Sequence, residues 1–221
     1  MAILYSLSDP HGEIEVFKEM LGIVDLRDKK NKLVLLGDYI DHQQKKFELL
    51  YFIKNLQEQY KNQIIVLAGN HEYFLLEDIQ NKSIFFDDDA MINWLKGLPF
   101  YFETDSQISQ IYVHAGIDEE AGEFWKWGSE DYYFCSKYPY TIGKFEKDII
   151  AGHIGTSTIT GDENYHKVFW DKQSHFYIDG TTELSKILPL LKYDTNTKRY
   201  SSFEKVTNEK SAVEWVEYTI K

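Results

Sequence analysis

Along this chain, short apolar runs repeatedly stop at a turn and at once present side chains able to bind metal or move protons. The clearest case is residues 33–36, Leu-Val-Leu-Leu, followed by Gly37, Asp38 and Asp41. An apolar run this short, bounded by turn residues, reads as a buried strand. In an open α/β sheet, ligands and chemistry collect at the carboxyl ends of such strands. An aspartate buried there is costly unless it meets a cation, a hydrogen-bond donor or water. One Gly-Asp pair is ordinary turn chemistry; its recurrence is what constrains the fold.

Residues 2–8 read as a strand that ends in Asp9-Pro10-His11-Gly12, where Pro and Gly break the run and leave Asp9 and His11 two apart. A third strand, 64–68, ends in Gly69-Asn70-His71-Glu72. A fourth, 111–113, delivers His114-Ala115-Gly116, and a fifth, 148–151, ends in Gly152-His153. Helices are expected between them. Ile14, Phe17 and Leu21 share a face within 13–22, and Phe47, Leu50, Ile53, Leu56 and Tyr60 recur at helical spacing within 43–61. The run Asp87-Asp88-Asp89 suits the positive end of a helix over 87–97 better than it suits a metal. Strands are also expected at 167–170 and 175–178, the latter followed by Asp179-Gly180, and edge strands beyond. Residues 119–147 are dense in Trp, Tyr and Phe without a period, which suits a lid over a site better than irregular core.

With 221 residues, 43% hydrophobic and 27% charged, the chain fits one soluble domain spanning 1–221. A net charge of −12 works against a nucleic-acid surface. The lone Cys135, the lack of a basic leader and the absence of any run of membrane-spanning length suggest a cytoplasmic protein with no membrane contact. Arg27 and Arg199 are the only arginines, so an anion held here relies on metal, Lys, His or backbone amides.

The strand ends offer Asp9 and His11, Asp38 and Asp41, Asn70 and His71, His114, and His153. Carboxylate, imidazole and amide oxygen without thiolate suit Mn, Fe or Zn. In order and spacing, Asp9 to Gly12, Gly37 to Asp41, Gly69 to Glu72, His114 to Gly116 and Gly152-His153 resemble the motifs of calcineurin-like metallophosphoesterases. Within them the likeness is to the phosphoprotein phosphatase group, which includes bacterial Ser/Thr phosphatases and symmetrical diadenosine tetraphosphatases. It covers about residues 3–180.

The resemblance implies an α/β fold of two mixed β-sheets packed together and flanked by helices, in four layers. It also implies two divalent metal ions: Asp38 bridges them, Asp9 and His11 complete one set, and Asn70, His114 and His153 complete the other. Hydroxide shared by the two ions would attack a phosphomonoester, His71 would protonate the leaving oxygen, and Asp41 would orient that imidazole and raise its pKa. A phosphorylated small molecule or a phosphoprotein is the substrate this implies, with a dinucleoside polyphosphate as the alternative. A catalytically silent binding module on the same fold is the reading from another class.

The departures bear on the substrate. Protein-phosphatase members carry an Arg directly after the second Asp of the Gly-Asp motif and another in a Trp-containing segment. Here those places hold His42 and, around Trp125-Lys126-Trp127, no Arg. Arg clamps phosphate bidentately whereas Lys or His makes a point contact, so His42 or Lys126 is expected to touch the phosphate. Gly155 stands where nuclease-type members have a further His.

Overall fold

Strands β1 (Ile3–Leu7), β2 (Lys32–Leu35) and β3 (Ile64–Val66) lie parallel and adjacent, with Leu7 paired to Leu35 and Leu35 to Val66. The computed structural model describes residues 2–41, 46–127, 130–207 and 213–221. After β1 comes α1 (Ile14–Leu21), after β2 comes α2 (Glu48–Tyr60), and α3 (Asn70–Gln80) starts four residues beyond β3. Next come α4 (Asp89–Lys96), β4 (Tyr101–Glu103) and β5 (Gln110–Val113). A 3-10 segment, Glu119–Phe124, and α5 (Asp131–Ser136) lead to β6 (Asp148–Ala151). The rest is α6 (Thr156–Thr160), β7 (Phe169–Trp170), β8 (His175–Tyr177), α7 (Thr182–Ser185), β9 (Leu191–Asp194), β10 (Arg199–Thr207) and β11 (Val213–Thr219).

Two mixed sheets result, ordered β11-β10-β9-β1-β2-β3 and β4-β5-β6-β8-β7. The apolar runs are unbroken because the central strands are buried on both faces. On β2, Leu33 and Leu35 point to the cluster that holds Phe17, Leu50 and Ile53 of α1 and α2. Val34 and the following Leu36 point the other way, to Tyr112, Ile150 and Phe176 of the second sheet. The second sheet repeats the scheme: Ile111, Val113, Ile149 and Tyr177 face Trp125 and Phe134 on its outer side. Helices, sheet, sheet and an outer layer of short helices make four layers.

Asp88 caps α4 by accepting from the Met91 amide at 2.8 Å, which is how the acidic run is used. Of the segment 43–61, residues 43–45 lie outside the described residues, and the helix begins at Glu48. Two expectations need correction. The C-terminal strands are not all edges: β9 pairs antiparallel with β1 in the interior of the sheet, and Leu191, Tyr193 and Tyr200 are buried between the sheets. Their alternation resembled an edge because β9 buries one face only. The aromatic segment also divides, with Trp125, Phe134 and Cys135 buried in core while Phe124, Trp127 and Tyr138 are exposed.

Candidate metal centre

The carboxyl ends of β1, β2 and β3 in one sheet and of β5, β6 and β8 in the other meet at one edge of the sandwich. Backbone hydrogen bonds lace the turns together. The amides of Asp9, His11 and Gly12 donate to the carbonyls of Gly37, Asp38 and Tyr39, and the amide of Gly152 donates to that of His114 at 2.7 Å. Asp9, His11, Asp38 and His153 all adopt left-handed backbone, with φ of 57°, 42°, 56° and 66°. For residues other than glycine such strain persists only where the surroundings impose it, and it gathers at functional sites. Gly37, at φ 119°, is obligatory for a second reason: a Cβ there would lie 2.5 Å from the Gly69 amide nitrogen and 2.8 Å from the His114 ring.

These turns aim donor atoms inward as two triads sharing one carboxylate. His11, Asp38 and His71 form one and Asp38, His114 and His153 the other, each with donor atoms within 4.8 Å of one another. Asp38 turns Oδ2 toward His71 Nε2 at 3.7 Å and Oδ1 toward His114 Nε2 at 3.5 Å, so each of its oxygens serves one side. Asp9 joins the first side, its Oδ1 3.8 Å from His11 Nε2, while the Ser8 hydroxyl and the His153 amide hold its carboxylate. Asn70 joins the second, its Oδ1 2.9 Å from both His114 Nε2 and His153 Nδ1.

The protonation pattern fits cations. Burial drives the His114 imidazole down to about 3, so it is neutral with a single ring proton. The Leu36 carbonyl, 3.0 Å from Nδ1, can only accept and therefore claims that proton. Nε2 then faces the Asn70 oxygen lone pair to lone pair, an arrangement a bound cation turns from repulsive to favourable. Burial also lowers His153. Asp38, which burial alone would raise, is held below its ordinary value by the neighbouring His114, His71 and His11 imidazoles, whereas Asp9 and Asp179 move up. Burial, then the charges of Asp179 and Asp38, push Asp9 well up, and burial pushes Asp179 up to about 6.

His71 is set the same way as His114. Its Nδ1 bonds the Ile40 carbonyl at 3.0 Å, which leaves Nε2 on the side of Asp38 and 4.8 Å between its ring and that of His11. The hydrogen bond that fixes the imidazole thus runs to the backbone one residue before Asp41. Asp41 itself closes a small antiparallel bridge with Lys46. Lys46 in turn lies over Gly12: a Cβ on that glycine would be 3.1 Å from the Lys46 Cβ.

Lys126 does not reach this edge, contrary to expectation. Glu103, which also binds Lys147 at 2.6 Å, holds its ammonium as an ion pair. Glu103 pairs with Ile111 in register, well back along β5 from His114, so the charge is spent away from the strand ends. His42 lies outside the described residues.

Two residues carry roles the sequence reading did not assign. Glu72, fully buried, accepts from the amides of Asp38, Tyr39 and Gly69 at 2.8, 2.9 and 2.9 Å and so ties the β2 turn to the start of α3. Burial and the nearby Asp38 charge raise it to about 7 despite those donors. Asp179, at the end of β8, is buried beside Asp9 and receives the Thr181 amide at 2.7 Å. Both stood in legible places, Glu72 within the Asn-His-Glu run and Asp179 at a strand end.

Relatives agree with this architecture. The symmetrical bis(5'-nucleosyl)-tetraphosphatase of Psychromonas ingrahamii is 26% identical over 128 residues, 52% of this chain and 45% of that protein. The corresponding protein of Wigglesworthia glossinidia brevipalpis is 30% identical over 125 residues, 51% of this chain and 44% of that protein. The chain thus matches less than half the length of these curated relatives. Among solved structures, one provisionally assigned as a diadenosine tetraphosphatase superposes with a TM-score of 0.60 at 16% identity, covering 97% of this chain and 93% of the other. A Saccharomyces cerevisiae protein serine/threonine phosphatase gives 0.58 at 13% identity, covering 100% and 80%. The profile of the calcineurin-like phosphoesterases matches residues 4–192, most of the chain, and the protein belongs to that family.

Proposed function

We propose that the chain is a phosphoesterase dependent on two divalent metal ions. The observation that carries this reading is the pair of donor triads sharing Asp38. Asp9, His11 and Asp38 would hold one ion, and Asp38, Asn70, His114 and His153 the other. Two such ions would lower the pKa of a water and neutralise phosphoryl charge. The chain's own residues do the rest. Asp38 keeps both sides in register through its two oxygens. His71, held by the Ile40 carbonyl, turns Nε2 inward, where a protonated ring can hand its proton to a leaving oxygen. Asp41, the residue after Ile40, is placed to help orient that ring. Lys46, whose side chain lies over Gly12 with its ammonium 3.7 Å from Glu13, stands in for the missing arginines as a point contact for phosphate, four residues after His42.

The substrate class is a phosphomonoester, including a phosphorylated small molecule or phosphoprotein. The kinship with symmetrical bis(5'-nucleosyl)-tetraphosphatases favours a second reading, a dinucleoside polyphosphate. Manganese is the working ion for assay, with iron or zinc as native alternatives. Hydrolysis of p-nitrophenyl phosphate with added Mn²⁺ tests the reading, with diadenosine tetraphosphate and a phosphopeptide compared as substrates. Asp38→Asn and His71→Ala should each lower kcat by at least about 100-fold. Lys46→Ala should raise KM with little change in kcat. A wild-type chain inactive on all three substrates with Mn²⁺, Fe²⁺ or Zn²⁺ would leave the silent binding module standing.

A further inference from the structure

Among the described residues, the buried side-chain atoms without a hydrogen-bond partner are His166 Nδ1, Thr181 Oγ1 and Glu183 Oε2. One of them, Glu183 Oε2, lies at the metal centre, 3.9 Å from His11 Nε2. The Glu183 side chain is 38% exposed, but this oxygen is shielded, and a shielded carboxylate oxygen without a partner is costly unless something compensates it. Which nitrogen it approaches is decisive. Nε2 is the His11 atom that also faces Asp9 Oδ1 at 3.8 Å, so both carboxylate oxygens lie on the metal-binding side of the ring. A residue that merely steadied the imidazole would contact the opposite nitrogen.

The spacing is that of ligands. Two donors each about 2.1 Å from one ion stand about 3 Å apart at right angles and about 4.2 Å apart when opposite. The distances from His11 Nε2 to Asp9 and to Glu183, 3.8 and 3.9 Å, each fall within that range, so either carboxylate can share an ion with His11. The backbone explains how Glu183 arrives. β8 ends at Tyr177, Asp179 takes the Thr181 amide, and α7 begins at Thr182, which swings the next residue over the His11 side. Position 155, across from this loop, carries no side chain: a Cβ on Gly155 would lie 2.6 Å from Thr181 Oγ1. The space on this side belongs to the β8 loop.

The geometry points to Glu183 as a further ligand of the first ion, alongside Asp9, His11 and Asp38. This gives the first ion a carboxylate-rich set of four protein groups against the imidazole-rich set of four around the second. The first site then prefers a harder, oxygen-seeking ion such as Mn²⁺ over Zn²⁺. Asp179, whose carboxylate is engaged by Thr181, is a positioning residue for the loop.

The inference rests on the two-metal reading, and the test separates the two. Mn²⁺ binding is measured by calorimetry and electron paramagnetic resonance on wild type, Glu183→Gln and Asn70→Ala, with melting in EDTA to check folding. Wild type should bind two ions. Glu183→Gln should weaken one site by at least about tenfold, the least that loss of even an outer partner costs, and Asn70→Ala should weaken the other. Two ions bound by Glu183→Gln with wild-type affinities would overturn this inference alone, and no manganese bound by wild type would overturn the two-metal reading with it. Anomalous density in wild-type crystals soaked in manganese decides the question without a variant. A Glu183 oxygen within about 2.2 Å of an ion supports it and one beyond about 4 Å overturns it.

Discussion

At the scale of single residues, the centre depends as much on Glu72 as on the ligands. Its carboxylate is the acceptor for three backbone amides, including that of Asp38, so it holds Asp38 in its left-handed conformation. Gln in its place keeps one acceptor oxygen, adds a donor facing other donors and leaves at least one amide unsatisfied. Glu72→Gln should cost about 1–3 kcal/mol in denaturant unfolding and weaken Mn²⁺ binding together. Unchanged Mn²⁺ affinity in a destabilised variant would separate scaffold from site. The donor residues that converge at this edge were legible because a turn breaks an apolar run just where a polar residue follows. Glu183 was not: it comes on a four-residue helix, after a turn, with no periodicity that sets it apart from solvent-facing glutamates.

Among the elements, the strands that deliver ligands could be read because both their faces are buried, which leaves an unbroken apolar run in sequence. The segment between β5 and β6 could not, because its buried residues, Trp125, Phe134 and Cys135, follow the outline of the second sheet rather than a helical or strand period. Polar contacts anchor it as well. Glu119 accepts from Lys137 and faces His175 Nε2 at 3.4 Å, while Lys137 also donates to the Ile117 carbonyl at 2.6 Å. Burial alone would raise Glu119, but the His175 and Lys137 bonds bring it below its ordinary value. A carboxyl depressed in the folded state stabilises above its unfolded pKa, near 4.5, and loses that contribution as pH falls through the folded value. Glu119→Gln should therefore be less stable than wild type by about 2 kcal/mol at pH 7, with the gap closing as the pH falls below the ordinary glutamate value of 4.5. Urea titrations above and below that value check it; a gap that widens in acid would reject the assignment.

On the scale of the whole molecule, five strand ends bearing polar donors converge, and two sheets packed face to face are how these strands bring them together. What the sequence did not convey was the place of the C-terminal strands. β9 inserts beside β1 because Leu191 and Tyr193 complete the layer between the sheets, a tertiary demand that two apolar residues at alternate positions do not announce. Ions bound only by the folded chain stabilise it by mass action, about 2.7 kcal/mol at a hundred times Kd. For a chain of this size that is about 5–10 °C in melting temperature, lost on adding EDTA and regained with Mn²⁺. A melting curve indifferent to both would count against cations at this edge.

The second donor set straddles the seam, Asn70 coming from the end of the first sheet and His114 and His153 from the second. Neither sheet alone supplies this second set, whereas His11, Asp38 and His71 all follow strands of the first sheet. On the two-metal reading, a chain whose sheets have not yet met lacks the second set, and loading there follows assembly. Occupancy of that second site then reports that the two sheets have closed on each other.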